Sequence, residues 1–196
     1  MSKEIKLTYS AKRIGERVAR LGRQISRDYV GQSLDVIIRL EDAFLFASDL
    51  VRRITRPVVC HFVRTEMRDF ETAGHARREV LFSVRPKLKG RNVLVVDAVL
   101  ATGVTLDFLL KRLREDQPRS LRLAVLVDKV VGRRVDLTPD YFGFVGASKY
   151  LAGYGLAGSR GRFRNLPYIG EVAGGRPKDQ QMVVRTNRAA RRRGKS

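Results

Sequence analysis

The run Val93-Leu94-Val95-Val96 constrains this chain more than any other feature: four consecutive large apolar residues leave no polar face and can be used only inside a packed sheet or core. It excludes a wholly disordered basic chain, although 40 Lys and Arg against 20 Asp and Glu give the 196 residues a formal net charge of +20. With 43% of residues apolar, the chain can build a core, and its length suits one compact domain or a domain with a tail. No segment approaches the roughly 18 apolar residues of a spanning helix, and Met1-Ser2-Lys3-Glu4-Ile5-Lys6 lacks the apolar middle of a signal peptide. A cytoplasmic protein with no membrane partner is expected. The single cysteine, Cys60, sits in Pro57-Val58-Val59-Cys60, which excludes an internal disulfide and reads as a buried structural thiol.

The positive charge is unevenly spread. Residues 176–196 hold Arg176, Lys178, Arg185, Arg188, Arg191, Arg192, Arg193 and Lys195 against Asp179 alone, a charge of +7 with little apolar periodicity. They read as an extended basic tail behind a domain of residues 1–175, which itself carries +13. Such an excess costs self-repulsion that a polyanionic partner would relieve. Thirty of the 40 basic residues are arginine, whose planar fork suits phosphate, although a GC-rich genome would produce the same bias.

Ser10 is an N-cap for a helix with Ile14, Val18, Leu21 and Ile25 on one stripe and Arg13, Arg17, Arg20, Arg23 and Arg27 on the other side. That arginine face reads either as a solvated surface or as one that tracks phosphates. Leu34 to Leu40 predicts a strand, Ala43 to Ile54 a helix, Pro57 to Val63 a strand and Val80 to Val84 a short one. Val93 to Asp97 is a buried strand, Thr105 to Arg114 a helix, and Leu121 to Val127 and Tyr141 to Val145 two further strands. Alternation of strand and helix without internal repeats indicates an α/β protein with a mainly parallel twisted sheet flanked by helices and a basic C-terminal tail.

Ligands of such sheets bind beyond the carboxyl ends of the strands, where a small-residue turn and a helix start offer backbone N–H groups to a phosphate. Val93 to Leu106, with Asp97 ending the apolar run and Thr102-Gly103-Val104-Thr105 forming the turn, has that form. His61 and His75 lack partners at ligand spacing and read as surface or packing residues, and Asp97 alone is not a metal site.

The same segment resembles the signature of the hypoxanthine-guanine phosphoribosyltransferases: a buried strand, two acids, two apolar residues, then Asp-Thr-Gly-x-Thr. The resemblance extends to Arg17-Val18 with Leu21-Gly22, Ile25-Ser26 and Asp28-Tyr29; to Asp49-Leu50; to Asp128-Lys129; and to Asp140-Tyr141 with Gly143-Phe144. It continues through Gly153-Tyr154-Gly155-Leu156 and Arg164-Asn165-Leu166-Pro167-Tyr168-Ile169-Gly170, spanning roughly residues 5–173. It implies a type I phosphoribosyltransferase-like fold, Mg²⁺-assisted displacement of pyrophosphate from phosphoribosyl pyrophosphate by a purine, and a homodimer.

Several of the family's devices are altered. Of the acidic pair that holds the ribose hydroxyls and associated Mg²⁺, Asp97 remains and is followed by Ala98. The general base toward the purine is Ala101, and a methyl group cannot take a proton. The pyrophosphate loop, usually Leu-Lys-Gly, is Leu40-Glu41-Asp42, whose carboxylates would repel pyrophosphate. A late metal-binding Asp is Ala157, and the mobile loop's Ser-Tyr pair has no counterpart in Thr65-Glu66-Met67-Arg68-Asp69.

By the same resemblance, Thr102, Gly103, Val104 and Thr105 hold phosphate, Lys129 reads the purine's exocyclic oxygen, and Tyr150 and Leu151 stack on and bracket the base. Asp97 and Arg164 are the remnants of the catalytic apparatus, Arg164 matching a pyrophosphate-contacting arginine. All of these residues also read as fold elements. Three functions follow. The first is a catalytically disabled phosphoribosyltransferase-like protein that binds RNA, ribosomal RNA or a ribonucleoprotein particle, through Arg13, Arg17, Arg20 and the tail. On that reading no cofactor is expected. The alternatives are a purine phosphoribosyltransferase with residual activity, for which Mg²⁺ is expected, and a regulator that senses a purine nucleotide.

Overall fold

One central strand buried on both faces organises the molecule, described over residues 5–69, 76–82, 86–146 and 150–173 in a computed structural model. Strand β5 (Asn92–Leu100) is buried along almost its whole length. Successive side chains point to opposite faces of a strand, so Leu94 and Val96 enter one core and Val93 and Val95 another. The first core is closed by helices α1 (Ala11–Asp28) and α2 (Phe44–Val51), and the second by α3 (Val104–Arg114). A continuous apolar run is what a strand covered on both faces requires.

Around β5 lie β2 (Leu34–Arg39), β3 (Val58–Asp69), β4 (Ala76–Phe82), β6 (Ser120–Lys129) and β7 (Tyr141–Gly146), in the order β4-β3-β2-β5-β6-β7. The pairs β3–β2, β2–β5, β5–β6 and β6–β7 are parallel, giving five parallel strands with β4 added antiparallel at one edge. This is the predicted α/β sheet, with the strand expected over Val80 to Val84 placed earlier; residues 83–85 lie outside the described residues. The sheet's order reverses at β2 and β5: the chain leaves β2 through α2 toward β3, and leaves β5 through α3 toward β6.

Sequence periodicity did not reveal a second, antiparallel sheet of β1 (Ile5–Tyr9), β9 (Ile169–Val172) and β8 (Leu151–Ala152). It joins the two ends of the described chain and is anchored by Tyr9, whose ring stacks on Phe144 of β7 with centroids 4.1 Å apart. The expected basic tail, 176–196, and His75 lie outside the described residues. Among the described residues no helix is long and apolar enough to cross a membrane.

Helix α1 begins as its sequence predicts, with the Ser10 hydroxyl accepting from the Arg13 N–H at 3.4 Å, and buries Ile14, Val18, Leu21 and Ile25. Its arginine face is partly engaged. The Arg13 guanidinium lies 5.8 Å from the centroids of the Tyr9 and Phe144 rings and that of Arg17 lies 5.6 Å from Phe144, while Arg20 is exposed. Cys60 corrects another expectation: it is exposed, because near the edge of the sheet no helix covers its side of β3.

Gly22 lets α1 approach the segment after α2 closely: a Cβ there would lie 2.4 Å from the Arg53 Cβ and 2.7 Å from its carbonyl oxygen. The Ser26 hydroxyl, one turn on, donates to the Gly22 carbonyl at 2.6 Å and accepts from the Thr55 N–H at 2.9 Å. Gly15, on the same helix, has open space around it. Gly22→Ala should therefore destabilise the fold by about 1–3 kcal/mol through overpacking, and Gly15→Ala should stabilise it by about 0.5–1 kcal/mol through helix propensity. Urea unfolding followed by circular dichroism separates the two, and equal midpoints would refute the close approach.

Candidate active site

The reversal between β2 and β5 opens a crevice at the carboxyl ends of the strands, the place where open α/β sheets bind ligands. Two charged residues face each other across it. Arg39 ends β2 and Asp97 lies near the end of β5, with Nε to Oδ2 at 2.7 Å and Nη2 to Oδ1 at 2.9 Å. The Ala98 N–H donates to Oδ1 at 2.7 Å, so both oxygens accept, as an ionised carboxylate does. Burial raises the pKa of Asp97 above the ordinary carboxylate value and Arg39 opposes that shift; Asp97 in turn raises the pKa of Arg39.

Beyond β5, Ala101 and Thr102 are exposed, Gly103 is buried at φ +80°, and α3 begins at Val104, followed by Thr105. The helix start carries no side-chain cap, and backbone N–H groups at such a start can donate to an anion. Gly103 is required twice over, by its positive φ and because a Cβ there would lie 2.6 Å from Val135 Cγ2.

Arg133, in the loop after β6, secures this turn from behind. Its Nε donates to the Ala101 carbonyl at 3.0 Å and its Nη2 to the Lys129 carbonyl at 3.1 Å, while the same guanidinium pairs with Asp128 and donates to the Leu137 carbonyl. The Arg134 N–H adds a bond to the Thr102 carbonyl at 2.9 Å. Arg133 thus ties the phosphate turn to the end of β6, where Lys129 stands.

On the other side, Glu41 and Asp42 follow β2. Asp42 accepts from Arg164 Nη1 at 2.6 Å, and Glu41 pairs with Arg64 and lies 3.6 Å from Arg164 Nη2. Arg164 also donates to the Gly155 carbonyl, whose residue packs so closely that a Cβ would lie 2.8 Å from the Asp42 carbonyl oxygen. These ion pairs explain the two carboxylates that replace the family's cation and glycine: each has an arginine of its own.

The remaining sequence-selected residues are more dispersed. The Tyr150 hydroxyl donates to the Ala157 carbonyl at 2.7 Å, which fixes its ring, and Leu151 is buried in the core shared with α1. His61 donates to or accepts from Asp35 at 2.9 Å, at the opposite end of β2. A cleft lined by Gly15, Val18, Asp49, Arg52 and Arg53 lies between α1 and the end of α2, away from the strands' carboxyl ends.

Arg39 and Arg133 were not singled out in the sequence. Arg39 carried a signal: it is the one cation closing the strand Leu34-Asp35-Val36-Ile37-Ile38-Arg39, and a charge there must meet a partner across the crevice. Arg133 carried none, since its four acceptors come from three separate stretches of chain.

As a magnesium site the crevice does not fit. Asp97 has given its oxygens to Arg39 and to the Ala98 N–H, and Ala98 offers no donor.

The phosphoribosyl transferase domain model matches residues 8–155. The chain is 35% identical over 176 residues to a hypoxanthine-guanine phosphoribosyltransferase of Dictyostelium discoideum, covering 88% of this chain and 96% of that protein. It is 34% identical over 169 residues to one from Mycobacterium avium, covering 83% of each. A crystal structure of a hypoxanthine-guanine phosphoribosyltransferase from Bacillus anthracis superposes with a TM-score of 0.78 at 34% identity, covering 86% of this chain and 98% of that one.

These relatives overturn the reading of a catalytically disabled, ribosome-associated RNA-binding protein and favour its alternative, a purine phosphoribosyltransferase. The physical reason is that a net positive charge describes affinity for anions in general and does not specify RNA. The matches to the signature, by contrast, lie on one crevice. The chain belongs to the hypoxanthine-guanine phosphoribosyltransferase family and has its type I phosphoribosyltransferase fold.

Proposed function

We propose that this protein is a purine phosphoribosyltransferase that binds a 6-oxopurine nucleotide and transfers the phosphoribosyl group slowly. The observation that carries this reading is the anion-binding turn Thr102-Gly103-Val104-Thr105, held between α3 and the end of β6 by Gly103 and Arg133. A 5′-phosphate seats on that turn, and Lys129 donates to the purine's exocyclic oxygen at the end of β6. Tyr150 and Leu151 bracket the ring, as the family resemblance implies.

The reaction joins a purine ring nitrogen to C1 of phosphoribosyl pyrophosphate as pyrophosphate departs, and the purine loses one proton. In the family an acid preceding Thr-Gly takes that proton; here Ala101 cannot. Ala101 is exposed, so water receives the proton in its place. Loss of a positioned base costs roughly 10²- to 10⁴-fold in rate, which makes the transfer slow without abolishing ligand binding.

Two measurements test this. Isothermal titration calorimetry should show GMP binding to the full chain, and Thr105→Glu should weaken it by at least about tenfold. A carboxylate in the first turn favours the helix while repelling a phosphate, so the variant should unfold no earlier than the parent. Wild-type chain that binds no GMP would refute the reading. In the second, Ala101→Asp should raise the rate of IMP formation from hypoxanthine and phosphoribosyl pyrophosphate by about 10- to 10³-fold, followed by chromatography. An unchanged rate would mean that proton removal does not limit transfer.

A further inference from the structure

The family resemblance implies carboxylates at the end of the central strand that meet the ligand's oxygens with the help of a divalent cation. Here the one remaining carboxylate, Asp97, has a permanent cation of its own. Asp97 is 2% exposed and Arg39 21% exposed, so Arg39 is the outer member of the pair. A guanidinium carries five N–H donors in one plane, and the two bonds to Asp97 use only two of them. The others are available to oxygen atoms of a ligand, and a planar fork suits vicinal hydroxyls and phosphoryl oxygens alike.

We infer that Arg39 is a binding residue of this site, a built-in cation that occupies the place of the divalent metal. It joins Asp97 to the ribose and pyrophosphate oxygens of a phosphoribosyl ligand, making ligand capture independent of metal. The neighbouring changes agree with this. Ala98 is buried with its side chain in the core closed by α1 and α2, so of these two positions Asp97 alone presents a carboxylate, and the Arg39 guanidinium neutralises it. Asp97, and more weakly Asp42, favour the charged guanidinium of Arg39. Arg39 ends β2 at the topological reversal, next to β5, the strand that leads into the turn before α3.

This inference rests on the proposed phosphoribosyl site, and the test separates the two. Binding of GMP and of phosphoribosyl pyrophosphate to the full chain is measured by calorimetry, in EDTA and in excess magnesium chloride. Phosphoribosyl pyrophosphate should bind with a Kd that agrees within about threefold between the two buffers. Removing Arg39 alone leaves a buried unpaired carboxylate and risks misfolding. Arg39→Met is therefore combined with Asp97→Asn, and folding is verified by circular dichroism. In EDTA the double variant should bind phosphoribosyl pyrophosphate at least about tenfold more weakly.

Binding of phosphoribosyl pyrophosphate only in magnesium, with GMP binding intact, would overturn the role of Arg39 and leave the proposed function standing. Unchanged binding by the double variant would overturn it too. Tighter binding would show that Arg39 plugs the site, which is likewise incompatible. Absence of binding for both ligands in both buffers would overturn the proposed function, and this inference with it.

Discussion

Arg39 and Asp97 are bound to each other at the point where the chain's two winding directions diverge, and the surrounding site depends on that bond. A carboxylate removed from water, as Asp97 is, carries a large desolvation cost that only a well-placed cation and further hydrogen bonds can offset. Arg39 supplies two bonds and the Ala98 N–H a third. The other end of β2 uses the same device: buried Asp35 accepts from His61 at 2.9 Å and from Arg91 Nε at 2.8 Å. The three residues between, Val36, Ile37 and Ile38, are fixed against β5 by the parallel register Val36 to Leu94 and Ile38 to Val96. One strand is thereby pinned at both ends by ion pairs and along its length by apolar packing.

Arginines fasten the loops as well. Arg133 holds the turn after β5 against the end of β6, and Arg164 holds the loop after β2 against Gly155. In both cases the guanidinium reaches backbone carbonyls and a carboxylate together, which a lysine's compact charge could not do in one plane. Part of the arginine excess that the sequence presents as a polyanion-binding surface is thus internal fastening. The remaining net charge of +20 still gives the crevice a positive setting, and a phosphorylated ribose is itself an anion drawn to such a field.

The central layer was legible because its signals are local. Val93 to Val96 could only be a strand covered on both faces, and Ile14, Val18, Leu21 and Ile25 could only be one buried stripe. The small sheet was not legible, since β1 pairs with β9 across most of the chain, Ile5 opposite Val172, and neither strand is long enough to show its own period. Cys60 was misread because an apolar run shows that a strand exists but not whether a helix lies over that part of it. In the site, the turn between β5 and α3 was visible in Thr102 and Gly103. The significance of Asp97 changed once its partner was known: from the sequence it was half of a broken acidic pair, and in the fold it is one half of a complete ion pair.

The two alanines that replace family acids are not equivalent, and their difference indicates how the site is balanced. Ala98 is buried, and its side chain enters the core closed by α1 and α2, on the face of β5 opposite to Asp97. A carboxylate there would enter a low-dielectric position, and the Arg39 guanidinium is already paired with Asp97. Ala101 stands in water at the tip of the turn, where a carboxylate incurs little desolvation and Arg133 touches only its backbone carbonyl. An acid at 98 would meet a large desolvation cost, and an acid at 101 would not. The pair of Arg39 and Asp97 neutralises the one buried carboxylate of the site from within. The missing base is a separate change, which alters the rate of proton removal and leaves the ion pair untouched.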